Sequence, residues 1–355
     1  MAARLRAAGA IIIGHTNVAA FLADDLQSAN PVFGRTGNPW DTERTPGGSS
    51  GGAAAALAAG MTPLEIGSDL AGSIRVPAHF CGVYGLKTTE HRVPLTGFFR
   101  QPSGVPRSVR VLSCLSPMAR DLGDLQLALV IIAGPDWRDG DVPPVPLGSR
   151  RRRPLQDLRL AIAPTVPGAT VAKVIRRRVE RVAAQAADAG ARGEERLPDF
   201  DWDALYEVYR DLLWTITGLF DPGAELRDEQ RTLAWYLGAL ERRDRFVTTW
   251  QAFFDDLDGL ILPAAMTSAF THRETGAPID IDGESVSYWE NGRLVVLCNL
   301  TGQPGLVVPA GLDDGGLPIG IQIVGPRWSE MRLLEIAGAL ERAGILPGFQ
   351  APPGY

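Results

Sequence analysis

Lysine is almost missing from this chain: Lys87 and Lys173 are the only two, and arginine supplies the rest of its 35 Lys and Arg side chains. Histidine is scarce as well, at His15, His79, His91 and His272. A mechanism that needs a nitrogen base therefore has few side chains to draw on. Cysteine occurs three times, at Cys81, Cys114 and Cys298. That odd number and wide spacing fit reduced thiols better than a disulfide framework and offer no zinc-ligand pattern. No apolar run is long enough to span a membrane. A net charge of -6 argues against the basic face that nucleic-acid binding needs. Arg4 and Arg6 ahead of Ala7–Ile13 have the order of a short signal peptide. They read better as a helix end at Met1–Ala8, a Gly9 C-cap and a buried strand over Ala10–Ile13. The expectation is a soluble, cytoplasmic protein that binds neither membrane nor nucleic acid.

Strand-like and helical patterns alternate along the chain, which predicts an α/β fold. Helices are expected at Ala53–Ala59 and Leu122–Ala133. Another is expected at Val171–Ala189, where Val171, Ile175, Val179, Val182 and Ala186 share one face. Residues 134–154 turn to Pro, Gly and charge, ending in Arg150–Arg153, and read as a solvated linker. Strands are expected at Leu158–Ala163, Leu260–Pro263, Gly305–Pro309 and Ile319–Gly325, with a last helix at Met331–Ala343. Trp202–Phe254 is helical and rich in aromatics, among them Trp202, Tyr206, Tyr209, Phe220, Trp235 and Trp250. Those rings suit a substrate channel or plain core packing equally. No repeat divides the chain, and 1–355 reads as one domain.

What the chain does have is glycine around serine. Pro46-Gly47-Gly48-Ser49-Ser50-Gly51-Gly52 is followed, after an alanine-rich helix, by Gly67-Ser68-Asp69-Leu70-Ala71-Gly72-Ser73-Ile74-Arg75. Glycine is costly in ordered structure, so such runs mark sharp turns or close backbone approach. Gly47–Gly51 fits the G-x-S-x-G nucleophile elbow, but Asn38–Pro46 before it is too polar and proline-broken for a central strand. Only His272 lies late enough to complete that order. The second loop is better suited to acyl transfer. The N–H groups of Leu70, Ala71, Gly72 and Ser73 could receive a developing oxyanion beside the Ser73 hydroxyl. A serine needs a proton acceptor, and the other serine loop is the natural candidate for a relay.

These loops, with Phe80-Cys81-Gly82-Val83-Tyr84-Gly85-Leu86-Lys87, closely resemble the amidase signature family of serine hydrolases. Matching pieces run nearly the whole length: Ala7–Ala10, Asn38–Asp41, Asn299–Gly302 with Pro304, and Gly316–Gly320 with Gln322 and Val324–Pro326. The resemblance implies an α/β/α fold around a central mixed sheet. It implies Ser73 as nucleophile, Ser49 as the bridging serine on a cis peptide, Ser50 as support, and Asp69 and Arg75 as partners holding the second loop. It implies no cofactor, no metal and a small-molecule amide as substrate. The family's base is a lysine on an earlier strand, at a position that would precede Met1. Lys87, Lys173 and His15 do not match it, and Ala71 stands where glycine is usual. The expectation is a carboxylic-amide hydrolase, N-terminally truncated and impaired as it stands. The alternatives are a non-catalytic homologue, an amidotransferase-like chain that works with partner subunits, and an esterase using His272. Oligomeric state is open, a homo-oligomer being one option.

Overall fold

A computed structural model describes residues 1–98, 108–218 and 225–355. Helix α1 (Ala2–Ala7) closes at Ala8 and leaves through Gly9 at φ +90°, as the glycine predicts. The apolar run at 10–13 is not a strand. No described strand pairs with it, and Ile11 and Ile13 are 89% and 75% exposed. An apolar run becomes a strand only where a ladder takes its N–H and C=O groups, and none is in reach here.

The chain next forms a two-stranded ribbon, β1 (Ala29–Asn30) and β2 (Gly34–Arg35). The following segment runs α2 (Gly51–Ala58), β3 (Leu64–Asp69), α3 (Arg75–Cys81), β4 (Tyr84–Lys87), β5 (Cys114–Ala119) and α4 (Leu122–Ile132). Asp121 starts α4 by accepting the N–H groups of Gly123 and Asp124 at 2.7 and 2.9 Å, which satisfies two of the orphan donors of a helix start. Beyond the connection come β6 (Arg159–Ile162), α5 (Lys173–Asp188), β7 (Arg192–Glu195), α6 (Trp202–Gly218), α7 (Leu233–Phe253) and β8 (Gly259–Pro263). A ribbon of β9 (Ile279–Ile281) and β10 (Glu284–Val286) precedes α8 (Gly292–Thr301), β11 (Gly305–Leu312), β12 (Pro318–Val324) and α9 (Glu330–Arg342).

Eight strands build one mixed sheet in the order β3-β5-β4-β11-β12-β8-β6-β7, parallel only at β6–β7 and β6–β8. Side-chain alternation assigns its faces. Leu306 and Val308 of β11 pack with α4, α5 and α9, through Leu125, Val179, Val182, Leu333 and Ile336. Val307 between them packs with α2 and α3, through Ala54, Leu57, Ile74 and Ala78. The sheet is therefore covered on both faces, an α/β/α sandwich, and the serine loops belong to the α2–α3 side.

The 134–154 stretch has no helix or strand, and much of it is exposed, Arg151 and Arg152 included. It is anchored where Asp139 is buried and where Arg153 pairs with Asp258 and Glu335. Val171 is buried but precedes α5, whose core face is Ile175, Val179, Val182 and Ala186. The aromatic stretch divides into α6 and α7; Phe220 lies outside the described residues. Trp250 is fully buried and stacks 5.7 Å from Phe253, which is core packing.

Candidate active site

The first serine loop is pinned from behind by the chain segment at 17–28. Thr45 Oγ1 donates to Leu26 O at 2.6 Å and accepts the Gly47 N–H at 3.0 Å. Gly48 N–H donates to Asp25 O at 3.0 Å. Ser28 Oγ lies 2.9 Å from Gly47 O and 3.1 Å from Ser49 O, and accepts the Gly51 N–H at 3.0 Å. The Gly48–Ser49 peptide bond is cis. A side chain on Gly48 would collide with the carbonyl oxygens of Asp24 and Gln27, so only glycine fits there.

The second loop is shaped by Asp69 at the end of β3. Its Oδ1 accepts the Gly72 N–H at 2.9 Å, and its Oδ2 accepts the Ile74 N–H at 3.3 Å. Arg75 closes on the same carboxylate through Nη2 and Nε at 2.9 and 3.0 Å, both side chains being fully buried. Burial alone would raise the Asp69 pKa, but the Arg75 guanidinium holds it far below the carboxylate range. Arg75 in turn donates to Val295 O, Gln322 Oε1 and Asn299 Oδ1 at 2.7, 2.7 and 2.6 Å. The guanidinium is thus saturated by α8 and β12.

The two loops meet directly: Ser50 N–H donates to Ser73 O at 3.1 Å. Ser49 Oγ is buried and has no hydrogen-bond partner among the described residues. Ser50 Oγ reaches Ser68 O only at 3.5 Å, and it sits 2.8 Å from where a Gly67 Cβ would be. Ser73 itself is 5% exposed at the turn into α3. Gly72, at φ +92°, would press a Cβ against Val295, and its N–H is already taken by Asp69. Leu70, Ala71 and Ser73 carry the loop's other N–H groups; Leu70 O is held by the Tyr209 hydroxyl at 3.0 Å.

The basic residues stand apart from this junction. Lys87 is buried in β4, its Nζ donating to Thr88 O and Gln303 O at 3.1 and 2.9 Å. Lys173 is exposed at the start of α5, and His15 is exposed too. His79 spends both ring nitrogens on Gly320 and Thr267, and burial lowers its pKa. His272 lies near Arg35 and Glu43, and its pKa is lowered by burial and by Arg35. Among the described residues no histidine or lysine bonds a serine of either loop.

Sequence reasoning missed Ser28, Thr45, Asp24 and Asp25. Asp24 is fully engaged: Oδ1 accepts from Leu26 N, Gln27 N and the Tyr288 hydroxyl at 2.9, 3.1 and 2.7 Å, and Oδ2 from Thr275 at 2.7 Å. Asp25 is half-buried and takes one side-chain bond, from Asn291 Nδ2 at 3.3 Å. Burial, then the neighbouring Asp24, pushes its carboxyl up to about 7. The adjacent acidic pair was the only available sequence signal, and it carries no geometry.

A mixed sheet with two interlocked serine loops on one face defines an α/β protein of the serine-amidase type. The chain belongs to the amidase signature family: the family model described as Amidase matches residues 1–215 and 207–334. It is 35% identical over 391 residues to a glutamyl-tRNA(Gln) amidotransferase subunit of Thermus thermophilus, covering 99% of this chain and 79% of that protein. It is 32% identical over 360 residues to an indoleacetamide hydrolase of Bradyrhizobium japonicum, covering 96% and 76%. Among solved structures, a 6-aminohexanoate cyclic dimer hydrolase complexed with substrate superposes with a TM-score of 0.79 at 26% identity, covering 99% of this chain and 78% of that one. The chain thus spans about three quarters of the length of these relatives. Among the described residues, no group of three or more His, Cys, Asp or Glu could hold a metal ion, and no helix is long and apolar enough to cross a membrane.

Proposed function

We propose that this protein hydrolyses a carboxylic amide to an acid and ammonia or an amine through an acyl-enzyme on Ser73. The observation that carries it is the junction itself. A buried, unpartnered Ser49 hydroxyl stands one residue from Ser50, whose N–H grips Ser73 O. Unpartnered buried hydroxyls also occur at Thr62, Thr88, Thr96, Ser116 and Ser268; what sets Ser49 apart is its place in the loop that grips Ser73 O. Ser73 attacks the amide carbonyl; Ser49 passes the Ser73 proton on and later returns one to the leaving nitrogen. The N–H groups of Leu70, Ala71 and Ser73 face the oxyanion role, with Gly72 fixing the loop and Ser50 supporting the relay.

By the family resemblance the final acceptor is a lysine. Lys87 is committed to two carbonyls and Lys173 lies at the start of α5, so slow turnover is expected from these 355 residues. The test is ammonia release from a panel of primary amides, with fluorophosphonate labelling followed by mass spectrometry. Label on Ser73, lost in Ser73→Ala together with ammonia release, supports the assignment. Ammonia release unchanged in Ser73→Ala overturns it.

A second reading draws on the similarity to amidotransferase subunits: a chain that works in a complex. Co-purification of a stoichiometric partner that raises amide turnover would favour it.

A further inference from the structure

Asp25 is a half-buried carboxylate with no counter-ion. Among the described residues no Lys, Arg or His forms an ion pair with it, and Asn291 Nδ2 at 3.3 Å is its side-chain donor. Asn291 and the backbone N–H of Asp25 itself relieve it only in part. Asp24 is negative, and Asp69, near enough to act on Asp25, is already neutralised by Arg75.

Its position is what gives this charge a use. The Asp25 carbonyl holds the Gly48 N–H, one residue from Ser49. Burial, and after it the negative charge of Asp25, raises the pKa of the Tyr209 hydroxyl, which donates to Leu70 O in the second loop at 3.0 Å. Asn291, which meets the carboxylate, also fixes the Met266 N–H at 3.1 Å at the head of α8. Asp25 is thus tied by its carbonyl to the loop that carries Ser49 and by its carboxylate to Asn291, just ahead of α8. The buried, unpartnered Ser49 hydroxyl belongs to the same junction.

Resting on the amidase reading above, we propose that Asp25 is a specificity-determining residue that selects amides carrying a protonated amine. A half-buried carboxylate beside like charge and without a cation holds its proton more tightly, and an arriving cation restores its charge. A charge-assisted N–H···O bond from an ammonium group supplies that missing partner. An uncharged alkyl chain of the same length cannot, and leaves the carboxylate desolvated.

The test uses matched pairs that differ only by ammonium against methyl: 3-aminopropanamide with butanamide, and 5-aminopentanamide with hexanamide. Calorimetric binding to the 355-residue protein needs no turnover, so it stands apart from the amidase reading, which the Ser73 labelling tests. At least one ammonium amide is expected to bind about tenfold or more tighter than its partner. In Asp25→Asn that ratio falls to about one. Asp25→Ser, smaller and also uncharged, must give the same collapse, which guards against a folding defect in either variant. Equal binding within both pairs, no binding by any of the four amides, or a preference that survives both substitutions overturns the proposal. A preference for ammonium amides lost in both variants, with no Ser73 label, keeps Asp25's role in binding and removes the hydrolytic one.

Discussion

Asp69 and Arg75, six residues apart, form a two-pronged ion pair with both side chains fully buried, and the Ser73 loop is wrapped around it. Removing one partner leaves a buried charge alone, so Asp69→Asn or Arg75→Met is expected to cost about 3–5 kcal/mol. Asp69→Asn combined with Arg75→Met should cost less than the sum of the singles. Denaturant titration of these variants beside the wild type checks both statements. Because the folded Asp69 carboxyl is held below its usual range, its contribution is present above the unfolded carboxylate pKa of about 4 and fades as pH falls.

Asp25 has the opposite sign. Its folded-state pKa is raised to about 7, so between about pH 4 and 7 the folded protein binds the extra proton and stability falls as pH rises. The groups around it are Asp24, Asp69, Asn291, Tyr206, Tyr209 and Tyr288, none of which carries positive charge. Asp25→Asn should therefore be more stable than the wild type at about pH 8, with the gap shrinking through about pH 5 and closing near about pH 4. A gap that is constant with pH would contradict it.

Ser28 acts as a clasp on the first loop. Ser28→Ala strips a partner from the Gly47 and Ser49 carbonyls and from the Gly51 N–H. Unsatisfied buried groups cost about 1–3 kcal/mol each at most, and a loss of about 2 kcal/mol is expected. Thermal unfolding reads the loss. Ser73 labelling by a fluorophosphonate should slow in the same variant, because Ser49, the proposed relay, is no longer held.

Gly72 is excluded from having a side chain twice over, by φ +92° and by Val295 at 2.8 Å from a Cβ. Gly72→Ala should destabilise by about 1–3 kcal/mol. Adding Val295→Ala should recover only the steric part. Full recovery in the double variant would mean that the backbone conformation costs nothing.

How much of this was legible depended on whether the information was local. The Ile175, Val179, Val182 and Ala186 stripe of α5 and the apolar runs of β8, β11 and β12 could be read because period and burial agree. Strand β3 could not, since Gly67, Ser68 and Asp69 are poor strand formers retained for the loop that follows. Strand β5 carries Pro117, which argues against a ladder position it nevertheless occupies opposite Ile66. The run at 10–13 shows the reverse failure: strand-like residues with no edge to join. The three serines were visible through their glycines. Their fasteners were not, because Ser28 and Thr45 act across about twenty residues and nothing in their surroundings differs from an ordinary loop.

The hold that Arg75 keeps on Val295, Asn299 and Gln322 has a consequence for synthesis. These contacts bridge 220, 224 and 247 residues of chain. Contacts so distant in sequence form only after their loops have closed. A ribosome-bound chain ending before Gln322 would thus lack a settled Ser73 turn. Ser73, the proposed nucleophile, is therefore expected to settle only after residue 322 has left the ribosome.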